Sequence, residues 1–158
     1  MKVTFAQAFL GLALLSGVSS ACAQAADVAI HSTQGSFADV KERVVMAIEN
    51  RGLVLNYTAR IGDMLERTGK DIGRDRPIYS KAEMFEFCSA QLSRATMEAD
   101  PRNIVYCPYA IAVYQLPKEP DKVYVSYRKP GAIGSGQSIK SLRAIDQLLA
   151  GIVRDALK

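Results

Sequence analysis

Cys88 and Cys107 carry the most reactive side chains of the chain beyond its N-terminal segment. Two thiols can form a disulfide, exchange with other thiols or bind a soft metal ion. A bond between them would close a loop of about 20 residues, which stabilises a fold by roughly 3 kcal/mol on the chain-entropy model. Their spacing differs from the Cys-x-x-Cys pattern of thioredoxin-like redox sites. A structural disulfide is the first interpretation, with buried unpaired cysteines or a reactive or metal-binding pair as alternatives.

The single histidine, His31, would have to serve any Ser-His-Asp or Cys-His device. No Gly-x-Ser-x-Gly elbow accompanies it, because Gly134-Ser135-Gly136 lacks that spacing. The cysteine, histidine and methionine residues also lack the close spacing of a metal site. We therefore assign no catalytic residue, no metal ligand and no cofactor, and we expect a binding module rather than an enzyme.

Five of the seven tyrosines lie between positions 106 and 127. The apolar run 104–115 and the alternating run 123–128 predict two strands joined by a Pro-containing turn, and so a β-hairpin. Adjacent strands would bring several rings together, either as ordinary cross-strand packing or as the lining of a pocket or interface. The second alternative gives the candidate ligand-binding residues: Tyr109, Tyr114, Tyr124, Tyr127 and Lys129.

Residues 1–25 have the composition of a secretory signal peptide. Lys2 is followed by an apolar run and by small residues that end in an Ala-x-Ala triplet, which predicts cleavage after Ala25. The apolar run is shorter than the about 20 residues that a membrane-spanning helix needs, and no second such run follows. We predict a periplasmic or secreted protein with no transmembrane segment after cleavage. The alternative is a lipoprotein anchored at Cys22.

Export changes the meaning of the composition. Lys2 is the only charged residue of the first 25, so the mature chain holds 19 basic and 16 acidic residues, a net charge of +3. Because no basic run is longer than two residues, this charge argues against nucleic-acid binding. Loss of Cys22 with the signal would leave an even pair, Cys88 and Cys107, in an oxidising compartment, which favours a disulfide.

The elements that must position these residues form one α+β domain over residues 26–158. Apolar positions at helical spacing predict two amphipathic helices, one from Phe37 to a turn at Gly52 and one along residues 139–158. We expect a mostly antiparallel or mixed sheet of about four to five strands, covered by three or four helices.

Shorter patterns complete this assignment. Alternating apolar residues predict strands over residues 27–33 and 53–61. A short helix is predicted over residues 62–68, followed by a charged loop over residues 69–77.

Residues 79–100 are open to two interpretations. A Ser-x-x-Glu capping box at Ser80 would start a helix that runs through residues 82–88. Alternatively, that stretch is a strand, and Ser89 caps a helix over residues 90–99. Periodicity alone does not decide between the two.

Four segments, in this order, resemble the domain of unknown function 302: Phe85-Glu86-Phe87-Cys88-Ser89, Ala99-Asp100-Pro101, residues 107–114 and residues 123–130. The resemblance covers residues 32–158 and points to the exported bacterial branch of the family. It implies a compact α+β domain whose sheet is covered by helices, and it favours the strand-then-helix interpretation around Cys88. It also suits a disulfide between Cys88 and Cys107. The motifs are hydrophobic and turn patterns, and no activity or catalytic residue carries over from them.

We therefore expect an exported small domain that binds a small ligand or an envelope protein and is stabilised by one disulfide. The alternative function is a redox-associated protein that uses Cys88 and Cys107 as thiols or as metal ligands. A small sheet with an exposed edge also predicts pairing of two copies into a homodimer. The identity of the ligand does not follow from the sequence.

Overall fold

The computed structural model of the protein describes residues 27–131 and 134–158, and the predicted signal peptide and lipoprotein site lie outside them. Within these residues the chain forms a five-stranded antiparallel sheet. Its strands are β1 (Val28–Gln34), β2 (Val54–Ala59), β3 (Lys81–Cys88), β4 (Tyr109–Gln115) and β5 (Lys122–Arg128), in the spatial order β1-β5-β4-β3-β2. The helices are α1 (Phe37–Glu49), α2 (Ile61–Asp71), α3 (Ala90–Ala99), a 3₁₀ helix (Pro101–Tyr106) and α4 (Gly136–Ala156). The predicted α+β class and mainly antiparallel sheet are confirmed.

Helix α1 forms where an apolar stripe follows an N-cap residue. The Ser36 Oγ accepts a hydrogen bond from the Asp39 amide at 3.1 Å, which satisfies one of the free donors of the first turn. The chain leaves the helix through Gly52, whose φ of 69° lies in the left-handed region that favours glycine. The apolar stripe is buried and consists of Phe37, Val40, Val44, Ala47 and Ile48.

The segment with two interpretations is a strand followed by a helix. Phe85 and Phe87 of β3 are buried, and the strand pairs with β2 on one side and β4 on the other. The Ser89 Oγ accepts a hydrogen bond from the Leu92 amide at 3.4 Å and so caps α3. The interpretation that the family resemblance favours is confirmed.

The strand predicted from Ile104 begins later, with β4. The preceding residues form the 3₁₀ helix, because the Asp100 Oδ1 accepts a hydrogen bond from the Arg102 amide at 3.0 Å and proline occupies the first position. Ile104 and Val105 are therefore 61% and 76% exposed instead of buried in a strand. An apolar run alone does not reveal this local capping.

Helix α2 is longer than predicted and includes the first residues of the expected charged loop. The chain turns back at its end, where the Gly69 carbonyl accepts a hydrogen bond from the Arg74 amide at 2.7 Å. A Cβ atom on Gly69 would lie 2.5 Å from the Arg74 carbonyl oxygen, so this close approach requires glycine.

The sheet has one covered face and one partly exposed face. Burial alternates along β4 and β5, so successive side chains point to opposite faces. The covered face packs into a core with the buried residues of α1 and α4 and includes Phe85, Phe87, Tyr109, Ile111, Val113, Val123, Val125 and Tyr127. The alternate residues form what we call the open face: Val28, Ile30, Met84, Glu86, Ala110, Ala112, Tyr114, Tyr124, Ser126 and Arg128.

Among the described helices, none combines the length and the apolar character that crossing a membrane requires.

Candidate functional site

A groove of about 560 Å³ opens on the end of the open face where the pairing of β4 with β5 stops, and it is also lined by Ile145 and Leu149, two buried residues of α4. The last register pair of these two strands is Ile111 with Tyr127. Beyond this pair β5 stays paired with β1, and the Lys129 amide donates a hydrogen bond to the Asp27 carbonyl at 2.8 Å. Small side chains, those of Ala110, Ala112 and Ser126, form the floor, and the walls include Val28, Met84, Val105, Tyr106, Pro108 and Pro130.

Two opposite charges face each other across this floor. Glu86 pairs in register with Ala110, and Arg128 lies on the other side of Ala110, one position beyond the last β4–β5 pair. Neighbouring strands are about 4.8 Å apart, and β4 lies between β3 and β5. The backbones that carry Glu86 and Arg128 are therefore separated by about 10 Å. Within the described chain neither side chain forms an ion pair. Both charges are therefore free to meet a ligand.

Two of the predicted ligand-binding tyrosines belong to the covered face. Tyr109 and Tyr127 are buried, at 3% and 5% exposure, and burial raises the pKa of each hydroxyl. The Tyr109 hydroxyl lies 3.0 Å from the Ser93 Oγ, within hydrogen-bond distance. Both rings contact the groove from below, at the end where β4 and β5 separate. They support its floor and offer it little hydroxyl surface.

The other two tyrosines stack on each other at the opposite end of the open face. The rings of Tyr114 and Tyr124 are 5.0 Å apart and nearly parallel, and Tyr79 packs edge-on against Tyr114 at 5.5 Å. The Tyr124 hydroxyl donates a hydrogen bond to the Glu119 Oε2 at 2.5 Å, and this bond is the main cause of the lowered pKa of that carboxyl. The four tyrosines therefore do not converge on one site, and Lys129 is not among the residues that line the groove.

The two cysteines come together beside the groove. The Cys88 Sγ at the end of β3 lies 2.9 Å from the Cys107 Sγ, and both residues are thiols in this structure. Burial raises the pKa of the Cys88 thiol to about 11, with further contributions from its hydrogen bond to Cys107 and from the charge of Cys107. The Ser93 Oγ is 3.7 Å from the Cys107 Sγ. The sulfur atoms of Cys88 and Cys107 are close enough for a disulfide to form between them.

A buried amide anchors the 3₁₀ helix that leads to Cys107. The Asn103 Nδ2 donates hydrogen bonds to the Thr96 carbonyl at 3.0 Å and to the Ser138 Oγ at 2.8 Å. These contacts hold the start of the segment against α3 and α4. Ile104 and Val105, which follow it, are exposed and belong neither to the core of the described residues nor to the side chains packed against it.

Catalytic or metal-binding clusters do not stand out in the described residues. His31 is an exposed residue of the edge strand β1, opposite Val125. Within residues 27–131 and 134–158, no three His, Cys, Asp or Glu side chains are grouped in a way that could hold a metal ion.

Tyr109 and Tyr127 are the predicted ligand-binding residues that line the groove, and its other lining residues were not predicted to bind a ligand. One signal was available, because Ala110, Ala112 and Ser126 are small residues at alternate positions of two strands that were predicted to pair. The separation of β4 and β5, which opens the groove, has no signature in the sequence. Glu86 and Arg128 gain their significance only from this separation.

The fold and the groove define a two-layer α+β domain with helices on one face of an antiparallel sheet and a groove on the other. The family model "Domain of unknown function DUF302" matches residues 28–156, and the chain belongs to this family. Its fold is similar to that in a crystal structure of an uncharacterized conserved DUF302 protein from Bacillus stearothermophilus, with a TM-score of 0.70 and 15% identity. The alignment covers 84% of this chain and 99% of that one. No curated protein matches the sequence.

Proposed function

We propose that the protein is an exported binding module that holds a small amphipathic molecule in the groove of the open face. The ligand has an apolar body, which contacts the groove floor and the walls, and an anionic group, which pairs with Arg128. The observation that carries this proposal is the groove itself, an apolar concavity with two opposite charges, neither of which forms an ion pair within the described residues. Ligand sites commonly combine an apolar lining with a few polar groups that fix orientation.

Arg128 favours an anion for two reasons. Its guanidinium is exposed and presents several donors in a planar arrangement that suits carboxylate, sulfonate or phosphate oxygens. The mature chain also has a net charge of +3, which attracts anions. Glu86, on the other side of the floor, would accept a hydrogen bond from a donor on the ligand.

The groove supports binding better than catalysis. Among the residues that the structure describes, Glu86 is the one carboxylate in the groove lining, and no histidine, cysteine or lysine lines it. A nucleophile with an adjacent base, which acyl or glycosyl transfer would need, is therefore not provided by these residues.

Export and a disulfide complete the proposal. Cleavage after Ala25 would deliver the chain to an oxidising compartment. There, Cys88 and Cys107 form a disulfide that links the end of β3 to the residues just before β4. Amino-terminal sequencing of the protein from its host would give Ala26 as the first residue. A chain that retains residues 1–25, or one that carries lipid on Cys22, would contradict this part.

The binding proposal is tested with 8-anilinonaphthalene-1-sulfonate, whose fused rings and sulfonate match the expected ligand class. Wild-type protein should bind it with a fluorescence increase, and Ala112→Trp, which fills the groove from its solvent-exposed side, should raise the Kd at least tenfold. Ala95→Trp adds the same side chain on the exposed face of α3, outside the groove, and should leave the Kd within twofold. Equal loss of binding in both variants, or no loss in either, would contradict the proposal.

A further inference from the structure

We infer that oxidation of Cys88 and Cys107 strengthens ligand binding by fixing the wall of the groove. The inference rests on the proposed function, because it assigns a regulation to the same groove. Val105, Tyr106 and Pro108 form part of the wall, and Cys107 lies within this stretch of chain. A bond at Cys107 therefore acts directly on residues that a ligand would contact.

The wall is held firmly at its start and is least packed in its middle, at Ile104 and Val105. Asn103 is buried and is tied by its side chain to α3 and α4. Val105, two residues later, is 76% exposed and contributes little packing. After this exposed stretch, the two thiols lie 2.9 Å apart and are not covalently joined, whereas a disulfide would fix the positions of the two sulfur atoms relative to each other.

The bond would connect the wall to the strand that carries the other side of the groove. Cys88 ends β3, and Glu86 of the same strand lines the groove two residues earlier. With Cys88 and Cys107 joined, the wall and Glu86 would keep one relative position before the ligand arrives. A site that is ordered beforehand loses less conformational freedom on binding, so its affinity is higher.

The oxidation proceeds by thiol–disulfide exchange with a small-molecule disulfide such as oxidised glutathione. One protein thiol loses its proton, and its thiolate attacks a sulfur of the glutathione disulfide, which forms a mixed disulfide and releases one glutathione thiolate. The second protein thiolate attacks the protein sulfur of this mixed disulfide and releases the second glutathione thiolate. The two released thiolates take up the two protons. The protein loses two protons and two electrons, and the glutathione disulfide gains them.

The experiment compares the full mature chain in two states, treated either with oxidised glutathione or with tris(2-carboxyethyl)phosphine. Intact mass identifies the states, because the oxidised protein is two hydrogens lighter. The Kd for 8-anilinonaphthalene-1-sulfonate should be at least threefold lower in the oxidised state. The variant Cys88→Ser/Cys107→Ser should show one Kd under both treatments, close to that of the reduced wild type.

Amide hydrogen exchange gives a readout that does not depend on the probe. Exchange of the amides in residues 104–107 should slow at least fivefold on oxidation, while the amides of α1 serve as an internal reference. Failure of oxidised glutathione to form the bond, or equal exchange and equal Kd in both states, would overturn the inference. Slower exchange together with no probe binding in either state would support the fixed wall and contradict the proposed function.

Discussion

The Sγ atoms of Cys88 and Cys107 lie 2.9 Å apart, at the junction between the end of β3 and the residues that lead into β4. The two positions are 19 apart in the sequence, and all of α3 and the 3₁₀ helix lie between them. Nothing in the periodicity of the sequence requires this proximity. It arises because β3 and β4 are antiparallel neighbours, so the end of one strand meets the beginning of the next.

The bond should make a measurable contribution to stability. Under oxidising conditions, Cys88→Ser/Cys107→Ser should lower the free energy of unfolding by about 3 kcal/mol, because an open chain gains more entropy on unfolding than a closed loop. Urea titration of wild type and variant checks this value. With reductant present, the two proteins should differ by less than about 1 kcal/mol, since neither then has a closed loop. Free, alkylatable thiols in protein taken from the periplasm would contradict the disulfide.

The reduced pair should react slowly at neutral pH. Because the pKa of Cys88 is raised to about 11, its thiolate is scarce at pH 7, and its alkylation by iodoacetamide should continue to accelerate between pH 9 and pH 11. Peptide mass spectrometry after timed alkylation gives the rate at each pH. In urea the rate at the same cysteine should level off near its ordinary pKa of 9.0. A folded protein whose rate also levels off there would refute the raised pKa.

The raised pKa of Cys88 also predicts how the stability of the reduced protein changes with pH. Folded Cys88 keeps its proton at pH values where the unfolded thiol has lost it, so the folded state binds more protons above pH 9. Stability should therefore fall as the pH rises from 9 towards 11. Urea titrations across this range should show a smaller decrease for Cys88→Ser, and an equal decrease in both proteins would assign the effect to other groups.

Arg128 and Lys129 are adjacent in the chain but should differ in their effect on binding. Arg128 lines the groove and Lys129 does not, so Arg128→Gln should weaken binding of 8-anilinonaphthalene-1-sulfonate about fivefold, the equivalent of about 1 kcal/mol. Lys129→Gln removes the same charge next to it and should change the Kd less than twofold. Equal effects would show that net charge, and not the groove, attracts the probe.

Asn103 should be important for stability because its amide is buried and bridges three elements. Asn103→Ala removes two donated hydrogen bonds and leaves the Thr96 carbonyl without one of its donors, at a cost of about 2 kcal/mol. Gln91→Ala, on the exposed surface of α3, should cost less than about 0.5 kcal/mol. Thermal or urea unfolding compares them. Similar losses in the two variants would mean that the buried network contributes little.

Much of the fold could be predicted from periodicity. The apolar stripe from Phe37 to Ile48 and the alternation along β4 and β5 identify α1 and the hairpin, because burial imposes these patterns directly. The boundary at Ile104 could not be predicted this way, because the cap at Asp100 turns an apolar run into an exposed 3₁₀ helix.

The candidate site was less accessible to sequence analysis. The even cysteine pair pointed to residues that the structure does bring together. The tyrosines were grouped as one surface, although strand alternation separates Tyr109 and Tyr127 from Tyr114 and Tyr124. The groove depends on where the pairing of β5 with β4 ends while its pairing with β1 continues, and this is a property of the assembled sheet rather than of any local segment.

The most direct test of the binding account is a titration of ¹⁵N-labelled mature protein with 8-anilinonaphthalene-1-sulfonate, followed by two-dimensional NMR. If the groove is the binding site, saturable changes in chemical shift should concentrate at four amides, with little change along the exposed surface of α3. These are the amides of Ala110, Ala112, Ser126 and Arg128. Shifts that concentrate elsewhere, or that spread evenly over the molecule without saturation, would contradict the claim that the groove is the binding site.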